Sequence, residues 1–302
     1  MNTLHHMQNC RALFNLTSFA HSLPSGELTF TAELNPALVT NVHTLCEQAE
    51  LLSTACQALH ISDSAFAGTH FPALAAAGLL QNRNFEPIVQ LSCRDKSIAV
   101  LDLEVQAALD MGVNALILVR GEVGALSDES DKRVKVKTTE LIRLAQQTGE
   151  ARKCPDLMLG AIATAFRPEP DWQPKALLAK TAAGANFLRT QICFDTELLQ
   201  MYIRALTRAK VTWDAAVLAQ VAVLPSANAA RWLNSNLRGS IMPESVVHRL
   251  EQAVDPQAEG VKIAVELIET LRDMPGVAGV SMMTPGDPAL ILEVVDQCRA
   301  ES

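Results

Sequence analysis

Side chains able to do acid–base and anion chemistry recur along this chain at one kind of place, at the end of short β-favouring apolar runs. Glu33 closes Leu28–Glu33, Asp63 lies near the end of His60–Ser64, and Cys93 with Arg94 ends Pro87–Cys93. Arg120 and Glu122 stand at the end of Ala115–Arg120, Arg167 and Glu169 follow Leu157–Ala163, Gln191 and Asp195 sit at the end of Phe187–Phe194, and Thr284 follows Gly279–Met283. A carboxylate so placed can move a proton or pair with an arginine, an arginine can hold an anionic group, and a glutamine amide offers a donor and an acceptor together. Read from residue types alone, Glu33 fits a structural carboxylate–arginine pair more readily than an acid, because such pairs are common.

The elements that must position these groups follow from the same runs. Together with Ala216–Leu224 they make eight candidate strands, separated by segments of helical periodicity: Leu38–Leu59, Asp95–Met111, Thr139–Gln147, Lys175–Ala183, Thr196–Ala209, Ala227–Ser235, Gln257–Arg272 and Asp287–Arg299. Gly112 and Gly184 stand just before strands four and six, where a helix C-terminus favours a left-handed residue. Alternating strands and helices in these numbers predict a single (βα)8 TIM barrel over residues 28–302, preceded by an N-terminal extension over 1–27. An open doubly wound sheet has the same periodicity, which does not report closure. In a barrel, the polar strand ends converge on one active face.

Composition narrows the function. The chain has 302 residues, 49% hydrophobic and 19% charged, which suits a well-buried globular protein. A net charge of −8 argues against a nucleic-acid partner, since neutralising phosphates needs a basic face. The one basic run, Lys132, Arg133, Lys135 and Lys137, reads as a solvated loop or a local anion site. No stretch approaches the roughly 20 apolar residues of a membrane span, and no secretory leader is visible, so a cytoplasmic protein is expected. The seven scattered cysteines contain no Cys-x-x-Cys pair and give no metal framework. Gly-x-Gly-x-x-Gly after the first strand, the P-loop and His-Glu-x-x-His are all missing, so any nucleotide must be held by other means.

Several stretches, taken in order, resemble the methylenetetrahydrofolate reductase family. They are Phe30-Thr-Ala-Glu33-Leu-Asn-Pro36, Pro87–Cys93, Ala115-Leu-Ile-Leu-Val-Arg-Gly-Glu122 and, most specifically, Lys180-Thr-Ala-Ala-Gly-Ala-Asn186 followed by Thr190-Gln-Ile-Cys-Phe-Asp195. The resemblance implies reduction of 5,10-methylenetetrahydrofolate to 5-methyltetrahydrofolate, or the reverse, with NAD(P)H through FAD. It implies Glu33 as the general acid that protonates the amine nitrogen as the methylene bridge opens to an iminium ion. Such a role calls for a half-buried site that raises the carboxyl pKa. Glu122 takes the place of a family aspartate that stabilises the charged pterin, one methylene longer, and Gln191 would hydrogen-bond the pterin edge. For the flavin the resemblance implies Asp63, Gln90, Arg120 and Lys180. The sequence departs from the family around the flavin: Gln90 replaces a histidine, Glu122-Val-Gly-Ala replaces Asp-Pro-Pro, and Ala165-Phe-Arg-Pro-Glu-Pro170 replaces a Tyr/Cys-Pro-Glu-x-His segment. A weakly held flavin, or hydride transfer directly from nicotinamide, is compatible with these departures. A folate-dependent methyltransferase and a non-catalytic barrel subunit of a one-carbon complex stay open as other classes, as does assembly into a homo-oligomer.

Overall fold

The computed structural model describes residues 18–35, 38–63, 71–94, 96–121 and 136–300. Eight parallel strands, β1 (Thr29–Glu33), β2 (Ala58–Ile61), β3 (Pro87–Ser92), β4 (Ala115–Val119), β5 (Met158–Ala163), β6 (Phe187–Thr190), β7 (Ala216–Ala222) and β8 (Val277–Met283), pair in sequence order. β8 returns to β1 with Thr29 opposite Gly279, which closes the barrel. The chain is thus a (βα)8 barrel, and the open-sheet alternative is excluded by that last pairing.

Most expected strands lie within a few residues of their observed bounds. Two helical expectations differ for physical reasons. The helix over Leu38–Leu59 is shorter, Val42–Ser53, because Asn41 caps it by accepting from the His43 and Thr44 amides, while Thr44 closes a reciprocal box; residues 58 and 59 belong to β2. The helix Ala73–Gln81 between β2 and β3 was not expected. Its ALAAAGLL run is apolar all round and carries no amphipathic stripe to signal a helix. Two of the eight candidate helices, observed as Ala227–Asn236 and Pro256–Arg272, lie between β7 and β8, and a further one, Glu244–Gln252, lies between them. Gly112 and Gly184 have φ of +83° and +118°, as their places after helices required.

Strand alternation sorts the side chains into two shells. Outward residues such as Phe30, Ala32, Leu59, Ile61, Val89, Leu91 and Leu188 pack beneath the helices in the main core. Inside the barrel, Ala58, Ile88, Ala115, Ile117, Phe187 and Leu218 form a separate apolar layer toward the N-terminal ends of the strands. The short helix Phe19–Ser22 closes that end. Phe19 packs edge-on against Phe187 at 5.3 Å and its amide donates to Glu86 at 2.8 Å. With the floor sealed by hydrocarbon, the polar part of the interior faces the C-terminal ends of the strands.

Candidate functional site

The upper interior is polar because the strands alternate there with the same parity. β1 turns Thr29, Thr31 and Glu33 inward, β2 His60, β3 Gln90 and Ser92, and β6 Arg189, each set two residues apart on its strand. β2 and β6 stand opposite each other in the ring, so a contact between them crosses the interior. Arg189 makes that contact. Its Nη1 lies 2.8 Å from His60 Nδ1 and 3.5 Å from Glu33 Oε2, and its Nη2 donates to Gln90 Oε1 at 3.5 Å. Glu33 Oε2 is 3.2 Å from His60 Nδ1. The His60 side chain is fully buried, that of Arg189 is 7% exposed and that of Glu33 12%, so the carboxylate is the member of the trio nearest the mouth.

The electrostatics follow from these contacts. Burial by itself would raise the Glu33 carboxyl, but His60, Arg189 and a hydrogen bond from Ser62 outweigh it and hold the pKa well below the carboxylate range. His60 is pushed below its ordinary 6.5, first by burial and then by the neighbouring guanidinium. It is therefore neutral at pH 7, where Arg189 supplies the charge that keeps Glu33 ionised. An arginine only donates, so Nδ1 of the neutral His60 ring accepts from it, and the 3.2 Å approach of Glu33 Oε2 to the same nitrogen becomes a hydrogen bond only when the ring is protonated. The expectation of a raised Glu33 pKa is thus reversed: a carboxyl alone in a low-dielectric site takes up a proton, whereas one beside a buried guanidinium gives it up. Arg189 itself is incompletely matched, its Nε having no hydrogen-bond partner.

The structure brings Glu33 and Gln90 together through Arg189 and places Gln191 two residues beyond Arg189, continuing the ladder of β6 by donating to Ala163 O at 3.0 Å. Gln191 therefore follows the guanidinium on the same strand parity, near Gly239, where a side chain would crowd Thr164. The other expected residues do not join the cluster. Arg120 is exposed at the end of β4, its carbonyl accepting from Ser92. Asp63 lies 3.8 Å from Lys96, which also holds Glu104 at 2.7 Å. Lys180, on the helix Lys175–Thr181, donates its ammonium to Ile162 O of β5 at 2.7 Å. Glu122, Lys132, Arg133 and Lys135 lie outside the described residues. Gln90 and Lys180 already serve protein acceptors or donors, and Asp63 sits by a lysine, so three of the four residues implied for a flavin have protein partners in this arrangement. Cavities of about 520 and 270 Å³ open elsewhere, near Asn186 and under Phe19 at the N-terminal side of the strands, away from these side chains.

His60 and Arg189 were not expected as site residues. Both sit inside strands, and attention to strand ends passes over them; their parity with Ala58 and Phe187, which alternate with the outward Leu59 and Leu188, was the available signal.

With this geometry in place, comparison with known proteins gives the lineage. A family model described as methylenetetrahydrofolate reductase matches residues 18–299. The chain belongs to that family. No curated protein sequence matches it. Among solved structures, a protein from Clostridium thermocellum that binds two copies of 5-methyl-5,6,7,8-tetrahydrofolic acid is 16% identical with a TM-score of 0.63, the alignment covering 93% of this chain and 97% of the other. An oxaloacetate acetylhydrolase (14% identity, TM-score 0.53, 95% and 83% covered) and a 2,3-dimethylmalate lyase (14%, 0.50, 97% and 85%) share the barrel alone. Membership accounts for the order of motifs along the chain and makes it a folate-related barrel of enzyme type.

Proposed function

We propose that the chain interconverts 5,10-methylenetetrahydrofolate and 5-methyltetrahydrofolate in the cytoplasm, with NAD(P)H as the source of the hydride. The observation that carries the reading is a carboxylate, Glu33, at the mouth of a polar barrel interior in a chain that matches the reductase family over residues 18–299. The folate bound by the Clostridium thermocellum protein supports the ligand class. In this reading Glu33 exchanges a proton with the folate amine as the methylene bridge opens or closes. Gln191 meets the pterin edge with its amide, and Glu122 faces the cationic intermediate. A flavin, where bound, would supply a relay for the hydride. The roles assigned to Glu33, Gln191 and Glu122 do not depend on it. The test is the coupling of NAD(P)H oxidation to 5-methyltetrahydrofolate formation, mole for mole, in the parent and in Glu33→Gln. A positioned acid or base is worth about 10²–10⁴-fold, and a loss of that size is expected in the variant. Absence of nicotinamide-dependent folate turnover in the parent would refute the reading, and turnover within a few-fold of the parent in Glu33→Gln would move the proton donor elsewhere.

A further inference from the structure

We propose that Arg189 and His60 are positioning residues that hold Glu33 as a carboxylate, so that the site rests in its proton-accepting form and must take up a proton before it can donate one to folate. The inference rests on the folate reading and adds to it the two residues that set when Glu33 can act. Its basis is geometric. The guanidinium spans the barrel from β6 and touches both Glu33 and the His60 ring, on a side chain that is 7% exposed. Among the described residues, the inward positions on the remaining strands, such as Gln90, Val119, Ile162, Gln220 and Ser281, carry no titratable group. His60 on β2 and Arg189 on β6 are thus the titratable partners that Glu33 meets inside the barrel.

The consequence for the reaction follows from charge balance. In the reducing direction, the bond between the amine nitrogen and the bridging carbon breaks and its electron pair stays on nitrogen with a proton from Glu33. The iminium carbon left behind accepts hydride from the reduced nicotinamide. In the oxidising direction, hydride leaves the methyl carbon for oxidised nicotinamide, the amine adds to the iminium carbon, and the amine proton passes to Glu33. Ionised Glu33 is the form from which this second sequence starts. Protonating it leaves Arg189 buried with no counter-ion, a state that burial makes costly. The site therefore reaches its acid form only as the solution becomes acidic, or when substrate compensates the guanidinium. His60, neutral and accepting from Arg189, fixes the guanidinium's reach toward the carboxylate.

Two readouts test this, in the intact protein with its nicotinamide and folate substrates. First, the reductive kcat/KM of the parent should fall about tenfold per pH unit across roughly pH 6–8 while the oxidative kcat/KM stays level, as expected for an acid titrating well below neutrality. Arg189→Met should move the bend of both profiles up by about 1–3 pH units, the range set by removing one opposite charge, and Arg189→Lys should return it toward the parent. Second, in an infrared pH titration the C=O band of a protonated carboxyl, assigned by its loss in Glu33→Gln, should be absent from the parent at pH 7 and should emerge at a pH about 1–3 units higher in Arg189→Met than in the parent. A bend that does not move, or a protonated Glu33 in the parent at pH 7, overturns the proposal. The infrared titration needs no turnover, so it decides the clamp even if folate turnover is absent, an outcome that would count against the folate reading alone. Should Arg189→Met fail to fold, Arg189→Gln removes the charge while keeping a donor for His60 and carries the same test.

Discussion

Replacing Glu33 by glutamine takes the counter-ion from the buried Arg189 guanidinium, with a shape change of one atom type. At 3.5 Å and an effective dielectric of about 20, the attraction lost is on the order of 5 kcal/mol before desolvation is counted. Breaking one side of a buried pair typically costs about 3–5 kcal/mol, and the glutamine carbonyl can still accept from Nη1, returning about 1 kcal/mol. A net destabilisation of about 2–4 kcal/mol is expected, which for a chain of this size lowers Tm by about 3–6 °C. Arg189→Met in the same background should recover most of it, since the charge left unpaired is removed, so a double-mutant cycle on urea midpoints should give a coupling of about 2 kcal/mol or more. The pH dependence has a definite sign. Glu33 is brought from 4.5 down to about 2 in the folded chain, so its contribution is fully present above pH 4.5 and is lost as pH falls through 2. The gap between parent and Glu33→Gln should therefore close between those values. His60, also held below its ordinary 6.5, makes the parent lose stability as pH falls below that point. Equal stability of parent and Glu33→Gln at pH 7, or strictly additive effects of the two substitutions, would show that the trio's contacts carry no coupling.

Glu122→Ala should lower folate turnover by roughly 10²-fold, the scale of one lost preorganised contact, with FAD affinity unchanged; release of FAD with turnover retained would exchange the two ligand assignments. Titration of the apoprotein with FAD should show weak binding that Lys180→Ala alters by less than about tenfold, because the Lys180 ammonium already serves Ile162 O; a larger loss, worth more than about 1.4 kcal/mol, would restore Lys180 as a diphosphate anchor. Gly160→Ala, whose new methyl would overlap the Phe187 ring inside the barrel, should cost about 1–3 kcal/mol, read as a lowered melting temperature; an unchanged melt would mean the interior apolar layer yields freely.

What could be read from the sequence and what could not separate along a physical line. Strands show themselves because a parallel strand covered by helices is a nearly continuous apolar run, as in Ala115-Leu-Ile-Leu-Val119, and the glycines at 112 and 184 punctuate the turns that feed them. Glu33 and Gln191 show themselves because they end such runs. Closure is a different kind of fact, fixed by the pairing of Thr29 with Gly279 across 250 residues, and local periodicity carries no trace of it. The trio depends on closure. His60 and Arg189 are 129 residues apart and sit on strands that never pair, so only a ring brings their side chains within 2.8 Å.

The protonation of Glu33 then depends on the trio, and here the sign itself changes with the partner. A half-buried glutamate at a strand end would hold its proton near neutrality if its surroundings were apolar or amide-like, which is what a lone acid requires. The same burial beside a guanidinium strengthens the attraction that keeps it ionised, because the low dielectric that penalises an isolated charge also magnifies a paired one. Burial is legible from the Phe30-Thr-Ala-Glu33 run, but the identity of the partner is not, since it comes from the opposite wall of the barrel. A motif can thus place a carboxylate at a strand end and still leave its resting charge to be decided by residues far away in the sequence. In this chain those residues are His60 and Arg189, and they make proton uptake by Glu33 a step that competes with a buried ion pair.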